Sequence, residues 1–439
     1  MKKLCIPIAM LFIICTLLTA CGAPGTVPCN PEAEDTAAPQ ITATPQPTAT
    51  PQPTATPELE GTPETPAAQT PTETEAPAEG DAIERYMQTL TLREKVGQLF
   101  FIRPDALDPT QTPGQINSSE TEGVKTLTDD MRAVLAAYPV GGVAIFGKNI
   151  SDPETLRAFT EQLRDATTVP LFLGVDEEGG TVSRVGSNPD MGVPSVGDMR
   201  SLGKQQDPAA AYAAGQDIGG SLHALGFNLD FAPVADVAQG ADSVIGSRSF
   251  GSDPELCASL AGVIVKSLRA EGIVSCLKHF PGYGSATVDD HNGTSIVEKT
   301  LSELEGCDLV PFQSIIASEG SVPFVMVSHL SYPNVTGSDT PADLSASIVT
   351  DILRDKLDYQ NVIITDSHSM ASITDHYSAG DAAVKALAAG CDMILMPSDL
   401  QATFDAVKAA VADGTLSQAR IDESVLRILT VKAEYGIIS

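Results

Sequence analysis

Basic residues are scarce. The 439 residues hold 26 Lys and Arg against 57 Asp and Glu, for a formal net charge of −31. Phosphate contacts need clustered Lys and Arg, so this balance excludes a protein that holds nucleic acid through its backbone. It equally excludes electrostatic docking onto anionic lipid. Tryptophan is absent. Of the eight cysteines, the four beyond residue 80 are Cys257, Cys276, Cys307 and Cys391, and they form no CxxC pair and no metal-ligand spacing. Cys276 lies in an apolar run and Cys391 between small residues, so both read as buried small hydrophobes rather than disulfide partners. No run of 18 apolar residues occurs in 81–439, which leaves that part without a candidate spanning helix. Hydrophobic residues still make up 42% of the whole, enough for a sizeable core.

The composition divides the chain into three. Residues 1–21, MKKLCIPIAMLFIICTLLTAC, open with two lysines, continue as an apolar run and end on small residues before a cysteine. That order is a secretory signal rather than a spanning helix. Its last four residues, Leu18-Thr19-Ala20-Cys21, resemble a bacterial lipobox, which implies that Cys21 becomes a lipidated mature N-terminus. A diacylated cysteine carries enough buried CH₂ to hold a protein at a bilayer. Residues 22–80 contain 13 Pro, 13 Thr, nine acidic residues and no Lys or Arg, with TPQPTATPQPTATPE as a near-repeat. A segment with so few large apolar side chains is expected to be a disordered linker. The remaining 81–439, with 48 acidic and 24 basic residues, is the expected catalytic domain.

Within it, short β-type runs recur at 97–102, 141–146, 171–176, 228–233, 274–279, 324–329, 361–366 and 393–397. Helical patterns lie between most of them: Pro153–Ala166, Pro208–Leu225, Pro254–Glu271 and Ala379–Ala389. Long connections are what parallel strands require, and near-continuous apolar runs suit strands covered on both faces. Eight such units predict an α/β fold, a (β/α)₈ TIM-like barrel, with a doubly wound open sheet as the alternative. A last helix, Ser417–Tyr435, would close the outer ring.

The polar residues at the strand ends carry more information than the strands. Asp176, Lys278-His279, His329 and Asp366 each end an apolar run. In a barrel those ends converge on one face, where active sites lie. One Asp after a strand is ordinarily a helix cap; several ends carrying Asp, Lys and His together are harder to explain as caps. Four of the six histidines, 279, 291, 329 and 368, fall on or just beyond these ends.

Three segments carry specific chemistry: KHFPGYG (278–284) followed by SATV and Asp289-Asp290-His291; GVDEEGG (174–180) with Arg184 after it; and ITDSHSM (364–370). These resemble glycoside hydrolase family 3, in particular its β-N-acetylglucosaminidase subfamily with the signature KH(F/I)PG-x-G-x₄-D-x-H. LTLREKVGQLF (90–100), GGVAIF (141–146), GFNLDFAPVADV (226–237), SRSFGSDPE (247–255) and AGCDMILMP (389–397) extend the likeness over 81–439.

The resemblance implies a retaining mechanism. Asp366 matches the nucleophile that forms a covalent glycosyl-enzyme, which water then hydrolyses. His291 would act as acid and base in place of the usual second carboxyl, with Asp289 as its partner. A D-x-H spacing lets a carboxylate accept the imidazole N–H, which orients the ring and favours its protonated form. Asp176, Arg184, Arg248, Lys278 and His279 match sugar-binding residues, where charged side chains give strong hydrogen bonds to hydroxyls. For Arg248 a structural salt bridge is the competing reading. No metal and no cofactor is implied. Tyr283, His368 and Thr181 depart from the family's usual His, Leu and Arg, and bear on what the sugar is attached to more than on the reaction. A second, sandwich domain is not expected after the last helix.

The expectation is therefore an extracytoplasmic enzyme tethered to the cell membrane through Cys21. It would remove terminal β-GlcNAc from peptidoglycan fragments or chitooligosaccharides. A β-glucosidase or a β-GlcNAc phosphorylase of the same family remains the rival, and a non-catalytic sugar-binding lipoprotein the rival from another class. The sequence leaves the oligomeric state open.

Overall fold

The computed structural model describes residues 79–240, 243–286, 295–318 and 322–438. Cys21, the signal segment, the linker up to residue 78, and the Asp289–His291 pair lie outside the described residues; a helix, Glu79–Thr89, begins within the last two residues of the expected linker.

All eight apolar runs are strands: β1 (Phe100–Ile102), β2 (Gly142–Ala144), β3 (Phe172–Val175), β4 (Leu229–Asp230), β5 (Val274–Phe280), β6 (Phe324–Val327), β7 (Val362–Ser367) and β8 (Met393–Leu395). They pair in parallel in chain order, and β8 returns to β1 with Phe101 beside Leu395, so the sheet closes. The doubly wound alternative is excluded by that closure. Six of the strands are shorter than their runs, β7 is as long as its run, and β5 runs one residue beyond it. β5 is the longest, and its register against β6 shifts between Leu277 and Phe280.

The ring around the sheet includes α1 (Asp129–Ala137), α2 (Pro153–Asp165), α3 (Pro208–Ala224), α4 (Pro254–Ala270), α5 (Val310–Ile316), α6 (Ser347–Lys356, of π winding), α7 (Ala379–Ala389), α8 (Leu400–Asp413) and α9 (Gln418–Glu434). Three of them start on Asp-Pro. Asp152, Asp207 and Asp253 each accept from backbone N–H groups of the first turn, and proline follows at the first helical position. Proline has no N–H to lose there and its φ already suits the helix. α2 buries Leu156, Phe159, Thr160 and Leu163, one face at helical spacing, and leaves the rest to solvent.

The barrel interior is filled by aromatic rings. Phe101 lies 5.1 Å from Phe231 and stacks at 6.4 Å on Phe172, which in turn meets Phe324 edge-on at 5.2 Å. Two glycines make the space: a Cβ at Gly142 would come within 2.5 Å of the Phe101 ring, and one at Gly174 within 2.9 Å. No side chain larger than hydrogen fits there without moving a fully buried ring. Cys257, Cys276, Cys307 and Cys391 are buried, as the surroundings of Cys276 and Cys391 in the sequence suggest for those two. Burial pushes the Cys257 thiol up to about 11, which leaves it unreactive. Among the described residues, no helix is long and apolar enough to cross a membrane.

Candidate active site

The C-terminal ends of the strands open into a cavity of about 510 Å³. Asp176 after β3, Arg184 in the loop that follows, Arg248 before α4, Lys278 and His279 in β5, and Asp366 in β7 all line it. Barrel closure thus brings six of the eight expected catalytic and sugar-binding side chains to one place.

Most of their charges are engaged with one another. Lys278 Nζ sits 2.8 Å from Asp176 Oδ1 and 2.6 Å from Glu178 Oε1. Arg248 grips Glu178 through Nε and a terminal nitrogen, both at 2.8 Å. Desolvation pushes Glu178 up, but the Lys278 and Arg248 cations outweigh it and hold the carboxylate far below its ordinary value. Burial works against the charge of Lys278, and the facing Asp176 and Glu178 raise it above the usual lysine value. Arg248 lines the cavity and is also held in a bidentate pair whose partner is buried, as the salt-bridge reading expects. That pairing fixes the guanidinium in direction, as a point-charge lysine would not be.

His279 is fixed from both sides. Its Nδ1 lies 2.7 Å from Asp236 Oδ2 and its Nε2 lies 3.3 Å from an Arg248 nitrogen. Arginine can only donate, so in the Arg248 contact Nε2 is the acceptor. Asp236 also accepts from the backbone N–H of His279 and of Tyr283. It anchors the KHFPGYG turn from below, and sequence reasoning passed over it inside GFNLDFAPVADV.

Asp366 is half-buried at the end of β7, and one of its oxygens accepts from the Ser367 N–H at 2.7 Å. Burial raises its pKa, but His329, His279, the Ser367 amide and Lys278 together bring it below the ordinary aspartate value. It is anionic and faces the cavity. Glu177, by contrast, accepts from Ser183 Oγ and from the N–H groups of Arg184, Val185 and Gly186 at 2.7–3.0 Å. It staples a turn and has no oxygen left for a substrate.

Two cavity residues stand apart. Neither Arg103, just after β1, nor Arg184 makes a side-chain hydrogen bond or ion pair among the described residues, and the Nε of each is buried without a partner. The Arg103 guanidinium lies 4.0 Å from the centroid of the Phe146 ring. In a chain with twice as many acids as bases, two cations facing a cavity without a carboxylate are free for a ligand. Sequence reasoning named Arg184 and missed Arg103; the only signal was an arginine directly after a strand.

The clustering of histidines at strand ends needs a correction. Of the three in the described residues, only His279 lines the cavity. His329 and His368 are wholly buried behind Asp366, because their side chains turn toward Asp343 rather than into the opening. These three residues bring metal-ligating atoms within 4.8 Å of one another, the one such group among the described residues. Asp343 Oδ2 lies 2.9 Å from His368 Nε2 and Oδ1 lies 3.1 Å from His329 Nδ1, so each of its oxygens faces an imidazole nitrogen.

A closed parallel barrel that gathers a free carboxylate and oriented cations at its C-terminal face defines a (β/α)₈ enzyme. The chain belongs to glycosyl hydrolase family 3, since residues 91–431 match its N-terminal domain. It is 36% identical over 312 residues to β-hexosaminidase LpqI of Mycobacterium tuberculosis, covering 69% of this chain and 78% of that one. It is 33% identical over 340 residues to β-hexosaminidase A of Pseudoalteromonas piscicida, covering 70% of this chain but 56% of that one. A family 3 β-N-acetylglucosaminidase structure from Paenibacillus sp. superposes with a TM-score of 0.71 at 34% identity, covering 79% of this chain and 63% of that one.

Proposed function

We propose that the protein is a retaining exo-β-N-acetylglucosaminidase acting on terminal β-GlcNAc of peptidoglycan fragments or chitooligosaccharides. The observation that carries this reading is Asp366: an anionic carboxylate facing a sugar-sized cavity, at the position that matches the family's nucleophile. Asp366 attacks the anomeric carbon and forms the glycosyl-enzyme; water then releases the sugar. His291, oriented by Asp289, protonates the leaving oxygen and later takes a proton from the water. The pairing of Glu178 with Lys278 and Arg248, and the turn made by Glu177, favour this assignment, because neither glutamate is free to serve as acid. Asp176, Lys278, His279, Arg248 and Arg184 hold the sugar, with Arg103 added to that set. The Cys21 lipid and the 22–80 linker would place the 81–439 domain outside the cytoplasm at the end of a tether.

The test compares hydrolysis of an aryl β-GlcNAc with an aryl β-glucoside, with and without phosphate. Rapid release of GlcNAc that phosphate does not alter is expected. Preference for the glucoside, or formation of a sugar phosphate, would replace the reading with one of its rivals. The acid–base role has its own measurement. In His291→Ala, kcat/KM should fall more steeply with leaving-group pKa than in the wild type, because a poor leaving group needs its proton most. An unchanged slope would remove His291 from the mechanism.

A further inference from the structure

Behind the nucleophile lies a chain of three buried side chains that the reaction does not touch. His329 follows β6, His368 follows β7, and Asp343 stands between them in a short turn; all are 0–1% exposed. His329 Nε2 is 2.9 Å from the Ser367 carbonyl oxygen, and its Nδ1 is 3.1 Å from Asp343 Oδ1. His368 Nε2 is 2.9 Å from Asp343 Oδ2.

The partners decide the protons. A neutral imidazole has one nitrogen that can only accept. Both nitrogens of His329 face oxygens, one of them a carbonyl with no proton to give. Nδ1 and Asp343 Oδ1 lie at ion-pair distance, 3.1 Å, without hydrogen-bond alignment, and the proton between them belongs to one or the other. Asp343 also accepts from His368, which stabilises its anion; burial raises the Asp343 carboxyl, but the two imidazoles offset this and hold it at about 2. The proton then stays on His329. His368 has the other environment: only Nε2 has a partner, Nδ1 is buried without one, and burial keeps its pKa below the ordinary histidine value. It is a neutral donor.

We infer that His329 is a permanent imidazolium set behind Asp366, that Asp343 holds it charged, and that His368 tunes it through Asp343. The three are positioning residues. Two histidines thus flank Asp366: His279, held between Asp236 and Arg248, and His329, the cation, against Asp343. The cation favours the carboxylate form of Asp366 in a low-dielectric setting without contacting the sugar. His368, where leucine is common in the family, supplies a donor that leucine lacks. The charge state follows from the contacts of His329 and Asp343 and the lowered pKa of that carboxyl; its effect on catalysis rests on Asp366 being the nucleophile.

The first test reads the proton directly. In the intact chain with ¹⁵N-labelled histidine, one imidazole should show both ring nitrogens protonated from pH 6 to above pH 8, and His329→Gln should remove that signal. A bare nitrogen on His329 at pH 7 would overturn the inference. The second test reads the acid limb of kcat/KM. The titratable groups facing Asp366 among the described residues are His329 from β6, Cys276, Lys278 and His279 from β5, and His368 from beyond β7. In Asp343→Asn the counter-charge is gone, His329 loses its proton, and the acid limb should move up by about one pH unit or more. His368→Leu should move it the same way by a smaller step. Unchanged limbs in both variants, with only a lower Tm, would make the chain mere packing. If Asp366→Ala keeps its activity while the doubly protonated imidazole persists, the nucleophile assignment fails and the charge state stands.

Discussion

The two ends of the barrel treat buried charge differently. At the N-terminal face, Asp392 stands just before β8 with every oxygen engaged. Oδ2 accepts from Ile363 N–H at 2.9 Å and from Arg354 at 2.7 Å; Oδ1 accepts from Ser424 at 2.6 Å and faces Arg427 and Arg420. At the C-terminal face the pairing is incomplete: Glu178, Lys278 and Arg248 are matched, while Arg103, Arg184 and Asp366 keep atoms turned to the cavity. Satisfied polar clusters serve stability, and unsatisfied ones mark where a ligand completes the network. The difference makes each end's contribution separable by mutation.

The largest effect should come from the C-terminal end. Asp366→Ala should lose activity by at least about a thousandfold, as removal of a covalent nucleophile does, while Tm stays close to the wild type. A fluorinated glycosyl donor should label Asp366, as peptide mass spectrometry would show; label on Asp176 would reassign the nucleophile.

At the opposite face Asp392→Asn should do the reverse. It leaves three arginines without their shared counter-charge and should cost about 3–5 kcal/mol in urea unfolding, as breaking a buried pair does. Below its lowered midpoint the variant should retain wild-type kcat. A loss of kcat at temperatures where it is folded would break the separation.

Lys432 sharpens the same point. Its Nζ has Gln98 Oε1 at 2.7 Å and the Phe172 ring at 4.9 Å, but no carboxylate among the described residues. Burial pushes it down to about 7. The unfolded chain holds that proton up to about pH 10. Between these values the unfolded state binds more protons, so this residue makes stability rise with pH. Lys432→Met should flatten that rise, which amounts to a few kcal/mol across the window by the linkage relation. An unchanged slope would show that the lysine stays charged, supported by the ring.

The smallest effect tests the unpaired cations. Arg103→Met should lower kcat/KM by about ten- to a hundredfold, the worth of charged hydrogen bonds to a ligand, with little change in Tm. A fall in Tm with unaltered kinetics would place Arg103 in structure instead.

Much of this was legible along the chain because it is local. Period and apolar runs depend on neighbours in sequence, so eight strands and the order of the barrel could be read. The Asp-Pro starts of α2, α3 and α4 could be read for the same reason: cap and first turn span four residues. Strand ends could be named as a site because every parallel strand of a barrel delivers its C-terminal end to one face.

What the sequence could not decide is which polar groups meet. Arg248 and Glu178 are 70 positions apart, Lys278 and Asp176 are 102, and His368 and Asp343 are 25. No periodicity links such residues; they meet only once the sheet closes and the loops settle. The same residue types therefore took different parts: Glu177 staples a turn while Glu178 pairs two cations, and His279 faces the cavity while His329 and His368 lie behind Asp366. The sequence alone determined the barrel and most of the polar groups at its mouth, Arg103 excepted. Tertiary structure decided which of those groups neutralise one another and which remain free, because an ion pair depends on distances of a few ångströms that only the closed fold sets.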